Sequence, residues 1–516
     1  MIAIPWLGVL AVAAFQGTGK EPPPAKERPG PNLLVILVDE CNFRALGCYG
    51  GKIAGTPRID RIAREGVRCT RFYATTPVCS PSRAAFFTGR YPQHTGVPSN
   101  NAPLRNGLST FASILESRGW ATGYAGKWHL DGPARPGWAP SRKFGFSDNR
   151  YMFNRGHWKK LEEDAKGPRV AARGRGGRPS YAVAGADERS YTTDFLTTRA
   201  LRFIREHRNE AFCFVLSLPD PHGPDTVRAP YDRMFAETKI PLPPTFETKG
   251  GEAPLWARPA PRLSPRRLRT LLRQYYGMLR CIDDNVGRIQ DLLDELGLRE
   301  DTILVFTADH GDLCGEHHRL NKGNPLEGSA RIPFLLRWPA RVPKGRTVSV
   351  NLASVDWLPT LCGLLGMEAP EGLDGRDASR WFLGRTTENF AKAWKDRVFL
   401  RGVERGPWLC VVQGDLKLVL DPRERPWLFD LARDPWERRN LFEDPAYEDR
   451  IPPLLTALRA YAREERDPYA KTPGIARWLA KPGKKGGGEG TGPRRGRGEP
   501  SPRKEPLNAR GVRRRP

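Results

Sequence analysis

Three short apolar runs recur along the chain, and each ends abruptly in ionisable residues. Leu33 to Val38 stops at Asp39-Glu40, Phe212 to Leu218 at Pro219-Asp220, and Thr302 to Ala308 at Asp309-His310. Runs of this length without polar alternation describe strands buried on both faces. Between them the apolar positions recur at three- and four-residue steps: Pro57 to Gly66, Thr110 to Arg118, Asp194 to Arg208 and Leu268 to Leu296. That spacing predicts helices. The alternation implies an α/β fold, a large mixed, mostly parallel sheet sandwiched by helices. In open sheets of this kind the ligand crevice lies outside the carboxyl ends of the strands. Asp39, Glu40, Asp220 to His222, Asp309 and His310 are therefore expected around one crevice.

After Asp374-Gly375-Arg376 the pattern changes to short strand-like runs, Arg397 to Val403, Trp408 to Gln413 and Leu416 to Leu420. They read as an antiparallel meander. A helix from Ile451 to Arg466 follows, with Pro452 and Pro453 confined to its first turn. The expected division is a large domain over 31–385 and a smaller C-terminal α+β domain with an antiparallel sheet over 386–475. The Gly- and Arg-rich segment between Lys160 and Ser190 reads as a mobile surface insertion. At the N-terminus, Ile2 to Phe15 is apolar but too short to span a bilayer. It reads as a signal peptide over 1–16, followed by a Pro-rich linker over 17–30. Export to a secreted or periplasmic location is expected, with no transmembrane segment.

Composition changes this picture in two respects. Hydrophobic residues at 39% and charged residues at 28% exclude a polytopic membrane protein and a wholly disordered chain. Lys and Arg number 84 against 58 Asp and Glu, a formal charge of +26 that attracts polyanions. Part of the surplus lies in Lys481 to Pro516, which has no aromatic residue. A disordered basic tail is expected over 476–516. The nine cysteines include no CxxC pair, and their spacing assigns no bridge.

The sharpest motif is Cys79-Ser80-Pro81-Ser82-Arg83, continuing to Thr88-Gly89-Arg90. Pro is preset for a first helical turn and Ser for a cap, so a helix opens here. A helix N-terminus favours anions and lowers a thiol pKa, which places Cys79 as a nucleophile facing an anionic substrate. This motif resembles the signature of the sulfatase family, in which the Cys is converted to formylglycine. Gly126-Lys127-Trp128-His129 resembles the second signature of that family. Further matches follow in family order: Asp39-Glu40, Pro221-His222-Gly223-Pro224, Asp309-His310-Gly311-Asp312, and Lys322-Gly323-Asn324-Pro325 with Glu327 and Arg331. The resemblance runs over about residues 31–440.

It implies a formylglycine-dependent type I sulfatase of the alkaline phosphatase superfamily, a metal-dependent sulfuric ester hydrolase. The implied metal ligands are Asp39, Glu40, Cys79, Asp309 and His310. They would hold one Ca²⁺, with Mg²⁺ the other candidate; oxygen-rich carboxylate sets suit such hard ions. Glu40 stands where the family usually has Asp, and His310 where many members have Asn. Implied catalytic groups are Arg83 and Lys127 beside the nucleophile, His129 as a base, and His222 with Lys322 on the sulfate and leaving group. Arg90, Asn100 and Asn101 are candidate mouth residues; His317 and His318 read as loop residues. The expected partners are a sulfated carbohydrate substrate and a formylglycine-generating maturing enzyme, with no nucleic acid. The rival enzymatic reading is a phosphonate monoester or phosphodiester hydrolase of the same superfamily. A two-zinc phosphatase lacks enough spare ligands, and a non-catalytic polysaccharide-binding module is the reading from a different class.

Overall fold

The protein is described here from a computed structural model covering residues 28–247, 253–257, 263–403 and 406–480. The expected signal peptide, the linker up to residue 27 and the tail from residue 481 lie outside these residues. Fifteen strands occur in the described residues: β1 (Asn32–Asp39), β2 (Val67–Tyr73), β3 (Ala121–Lys127), β4 (Asp148–Phe153), β5 (Leu161–Asp164), β6 (Gly167–Val170), β7 (Phe212–Pro221) and β8 (Thr302–Ala308), then β9 (Arg331–Arg337), β10 (Arg346–Val348), β11 (Leu352–Ala353), β12 (Arg397–Val403), β13 (Gly406–Gln413), β14 (Leu416–Leu420) and β15 (Trp427–Asp430).

The large sheet runs β10-β2-β9-β8-β1-β7-β3-β4, with β11 also on β2. Every residue of β1, β7 and β8 is buried, as their uninterrupted apolar runs require. β1 is central and pairs in parallel with both β7 and β8. Only β9 runs antiparallel to its neighbours, so the sheet is mixed and mostly parallel. Its reversal was not evident in advance, because a buried apolar run looks alike in either direction. Helices Pro57–Glu65, Thr192–Glu206 and Pro265–Glu295 pack on one another and on the sheet; Cys79–Thr88, Phe111–Glu116 and Trp357–Leu365 form another such group. Thr110 caps the helix at Phe111 by accepting from Ser113 N at 3.1 Å, while Ser113 Oγ accepts from Thr110 N.

Strands β12 to β15 form the expected antiparallel sheet, in sequential order. The helix Ile451–Glu464 packs against it, and a further helix, Pro473–Ala480, carries regular structure past the expected boundary at 475. Leu400, Leu409 and Leu458 share one apolar core with Tyr73, Ala85 and Ala353 from the first half of the chain. The segment expected as a loose insertion over 160–190 instead contains the β5–β6 hairpin, with residues 173–179 exposed beyond it. All nine cysteines are free thiols.

One buried ionic cluster ties β14 to the segment entering β9. Lys417, fully buried, donates to Glu327 Oε1 at 2.7 Å, Glu437 Oε1 at 2.8 Å and Pro325 O at 2.8 Å. Burial holds the Glu437 carboxyl up at about 7, while on Glu327 the Lys417 ammonium outweighs burial and holds the carboxyl down at about 2. Removing the ammonium leaves the buried Glu437 without its cation and Glu327 with Arg331 alone. Lys417→Ala is expected to lower unfolding stability by about 3–5 kcal/mol in denaturant titration. An unshifted midpoint would show that the cluster does not hold these segments together.

Candidate active site

The site assembles where β1, β8, β7 and β3 end. Asp39 closes β1 and Asp309 follows β8; because β1 and β8 are neighbours in register, their carboxylates meet. Arg83 lies between them, fully buried, with Nε 2.8 Å from Asp309 Oδ2 and Nη2 3.4 Å from Asp39 Oδ2. Its Nη1 donates to Lys127 O at 2.7 Å and Ser217 Oγ at 2.8 Å. One guanidinium thus binds four neighbouring strands, β1, β8, β3 and β7, to the helix Cys79–Thr88. Fork geometry and permanent charge suit Arg to this place.

That helix starts at Cys79 without a side-chain cap; its N-cap residue is Val78. The serines expected to cap it are used elsewhere. Ser82 donates to Asp309 O, and Ser80 Oγ donates to His129 O at 2.7 Å. Asn100 Oδ1 supplies a cap from outside, accepting from Ser80 N at 2.9 Å. Cys79 Sγ lies 3.2 Å from His310 Nε2 and 3.9 Å from Asp39 Oδ1. Asp39, Cys79, Asp309 and His310 each place a ligand atom within 4.8 Å of the others, all buried. Burial opposes ionisation of the Cys79 thiol, yet Lys127, Lys322 and His310 hold its pKa well below the ordinary thiol range. Burial likewise opposes the charged form of His310, but Asp309 and Cys79 hold it up at about 9.

The Gly-Lys-Trp-His motif divides its side chains between two surroundings. Lys127 Nζ pairs with Asp39 Oδ2 and lies 2.9 Å from His157 Nε2. Trp128 enters the aromatic core, its ring 4.7 Å from that of Phe87. His129 returns to the site at φ +63°, with Nε2 3.0 Å from Asn101 Oδ1. Since Asn101 Oδ1 can only accept, Nε2 carries the proton and the lone pair is on Nδ1, which is buried with no hydrogen-bond partner among the described residues. Burial, reinforced by Lys127, holds the His129 pKa down at about 4. Gly126 precedes them at φ +114°, where a Cβ would fall 1.8 Å from Ser217 O; only glycine lets β3 approach β7 this closely.

Opposite stand His222 and Lys322. His222 Nε2 lies 2.6 Å from Lys322 Nζ and 2.9 Å from Glu40 Oε2; Lys322 Nζ lies 2.9 Å from the same oxygen. Glu40, expected among the ligands, lies outside the four-donor group. Its extra methylene and its φ of +66° carry the carboxylate to Lys322 and His222. Oε1 remains buried with no partner among the described residues. Despite burial, His222 and Lys322 hold its pKa down at about 2.

Asp220, expected at the crevice, is engaged elsewhere: Lys159 Nζ at 2.7 Å, Tyr191 Oη at 2.7 Å and Thr193 Oγ1 at 2.6 Å surround it. It anchors the turn that presents His222. Arg90 donates to Glu371 O at 3.0 Å, and Asn100 and Asn101 serve the helix start and His129 as described. His317 and His318 lie in a short 3-10 turn, Glu316–His318, rather than a loop; His318 stacks on Phe246 at 4.5 Å, and His317 N is held by Thr245 Oγ1 at 3.0 Å. The residue missed is His157. Its ring stacks on His222 at 3.5 Å and 5°, and Nε2 is 3.7 Å from Asp39 Oδ2. The one signal for it was a His between Gly156 and the large apolar Trp158.

Residues 31–367 match the family described as Sulfatase, and residues 315–464 match the N-sulphoglucosamine sulphohydrolase C-terminal family. The chain is 29% identical over 437 residues to the ulvan-active sulfatase of Formosa agariphila, covering 81% of this chain and 78% of that protein. It is 30% identical over 543 residues to the steryl-sulfatase of Mus musculus, covering 86% and 84%. The crystal structure of the phosphonate monoester hydrolase of Agrobacterium radiobacter aligns with a TM-score of 0.65 at 25% identity, covering 85% of this chain and 96% of that one.

Asn101 fixes the His129 tautomer, so Asn101→Ala is expected to lower kcat on a sulfate ester about 10–100-fold. The thermal unfolding midpoint should stay in place. An unchanged kcat would show that the tautomer does not matter.

Proposed function

We propose that this chain, which belongs to the sulfatase family and is a sulfuric ester hydrolase, removes sulfate from a sulfated saccharide using a nucleophile derived from Cys79. The observation that carries the reading is the position of Cys79. It begins a helix, its sulfur is 3.2 Å from His310, and Lys127, His129, His222 and Lys322 line the site around it. A sulfate ester spreads negative charge over its oxygens, and fixed cations in a water-poor site stabilise charge that develops there.

Two carboxylates, an imidazole and the Cys79 side chain converge as buried donors; with the thiol converted to an oxygen group, three of the four would be the oxygen donors a hard divalent cation takes. Asp39, Asp309, His310 and the converted Cys79 would hold Ca²⁺ or Mg²⁺, which supplies Lewis-acid polarisation of a sulfate oxygen. Glu40 would hold Lys322 and His222 in place, with its unpartnered Oε1 the remaining oxygen that could turn to the cation. Conversion of Cys79 to formylglycine by a maturing enzyme would supply a hydrated aldehyde as the attacking hydroxyl. Arg83 keeps both Asp carboxylates oriented. His129 Nδ1, unprotonated and buried, takes a proton from the group at position 79. Lys127 stands beside it to stabilise negative charge on oxygen. Lys322 and His222 bind sulfate oxygens and deliver a proton to the departing alcohol.

The saccharide class is supported by the strongly basic body and by the relative named for ulvan. A phosphonate monoester or phosphodiester substrate is the second reading, favoured by the alignment with the phosphonate monoester hydrolase. No helix in the described residues is long and apolar enough to cross a membrane. Export rests on the apolar run Ile2 to Phe15.

Peptide mass spectrometry of enzyme co-expressed with a maturing enzyme is expected to show a mass deficit at Cys79. Cys79→Ala should lower kcat by more than about 10⁴-fold. An intact thiol in fully active protein would end the proposal. Phosphodiester turnover far above sulfate-ester turnover at equal concentration would favour the second reading. Turnover of sulfated oligosaccharides should also fall as salt rises toward physiological strength, since polyanion attraction is screened over about 8–10 Å there.

A further inference from the structure

We infer that Arg135 is a specificity residue that binds a second sulfate group of the same saccharide. This rests on the saccharide reading above. The Arg135 guanidinium lies 5.0 Å from the centroid of the Tyr181 ring and 5.2 Å from that of Trp158. Those two rings are 4.8 Å apart, and Trp158 is only 1% exposed, so the platform is rigid. The Tyr181 ring is 6.1 Å from that of His157, which stacks on His222 and sits 2.9 Å from Lys127. The aromatic pair therefore joins an exposed cation directly to the wall of the sulfate pocket.

The backbone that presents Arg135 is fixed by the strand end that positions His129. Asn154 Nδ2 donates to Gly132 O at 2.8 Å and Ala134 O at 3.0 Å, and Arg155 N donates to Pro136 O at 3.0 Å. Asn154 O accepts from His129 N at 2.7 Å. The loop and the candidate base thus share one brace. Most basic side chains near the site are paired: Arg83, Lys127, Lys159 and Lys322 each have a carboxylate. Among the described residues Arg135 forms no ion pair, and neither does the adjacent Arg155, whose Nη1 donates only to Pro133 O at 2.9 Å. A guanidinium ordered by aromatic faces, with its N–H edge unsatisfied, is preorganised for an oxyanion at little entropic cost. The Tyr181 ring stands between it and His157, so the anion it meets would be carried on another position of the sugar or on the next unit.

The test uses matured enzyme, an aryl sulfate, and pairs of sulfated oligosaccharides that differ by one sulfate, each assayed as substrate and as inhibitor of aryl-sulfate turnover. Arg135→Gln is expected to cut the preference for the more sulfated member about tenfold, in KM or Ki rather than kcat. Arg135→Lys, which keeps the charge and loses the planar stack, should fall between. Unchanged preference in Arg135→Gln, with the saccharides still turned over, overturns the inference alone. Aryl-sulfate turnover with no saccharide turned over or bound overturns the saccharide reading, and the inference with it.

Discussion

The site depends on one buried guanidinium placed between two buried carboxylates. Asp39 and Asp309 are brought together because β1 and β8 are adjacent and in parallel register. Two carboxylates so close and so far from water repel each other and lose hydration. Arg83 offsets both penalties and also ties β3 and β7 through Lys127 O and Ser217 Oγ. The helix that carries Arg83 begins at Cys79, so the charge compensation and the position of the Cys79 sulfur are one constraint. Shifting the helix by a turn would take the guanidinium from both carboxylates, leaving Asp39 to Lys127, and take the sulfur away from His310.

Around this centre the cations fall into two groups with different supports. Lys127 and His157 face Asp39, while Lys322 and His222 face Glu40. The two groups meet in the His157–His222 stack. Glu40 therefore works on the far wall of the pocket, where an Asp, one methylene shorter, would not reach as far. The family resemblance alone assigned it to the metal; the backbone turn at positive φ decides which way it points.

The support of Lys322 extends well outside the crevice. Five residues on, Glu327 is gripped by Lys417 from β14 and by Arg331 at 3.2 Å, and Glu437 accepts from Glu327 N at 2.6 Å. The antiparallel sheet thus braces the segment that delivers the Lys322 ammonium to Glu40 and His222. Its aromatic and aliphatic residues share a core with the first half of the chain, so this brace does not hinge freely.

What could be read from residue order alone was local and periodic. Uninterrupted apolar runs announced β1, β7 and β8, three- and four-residue steps announced the long helices, and the resemblance to the sulfatase motifs singled out Cys79, Arg83, Lys127, His129, His222 and Lys322, which the structure gathers in one crevice. The direction of β9, the turning of Asp220 away from the crevice, the transfer of Glu40 to Lys322 and the arrival of His157 were not legible. Each depends on which distant segments become neighbours, and a buried charge takes whichever partner the packed chain places within reach. Sequence specifies the donors; the tertiary fold assigns their acceptors, because electrostatic and hydrogen-bond energies fall off within a few ångströms and only the folded chain sets those distances.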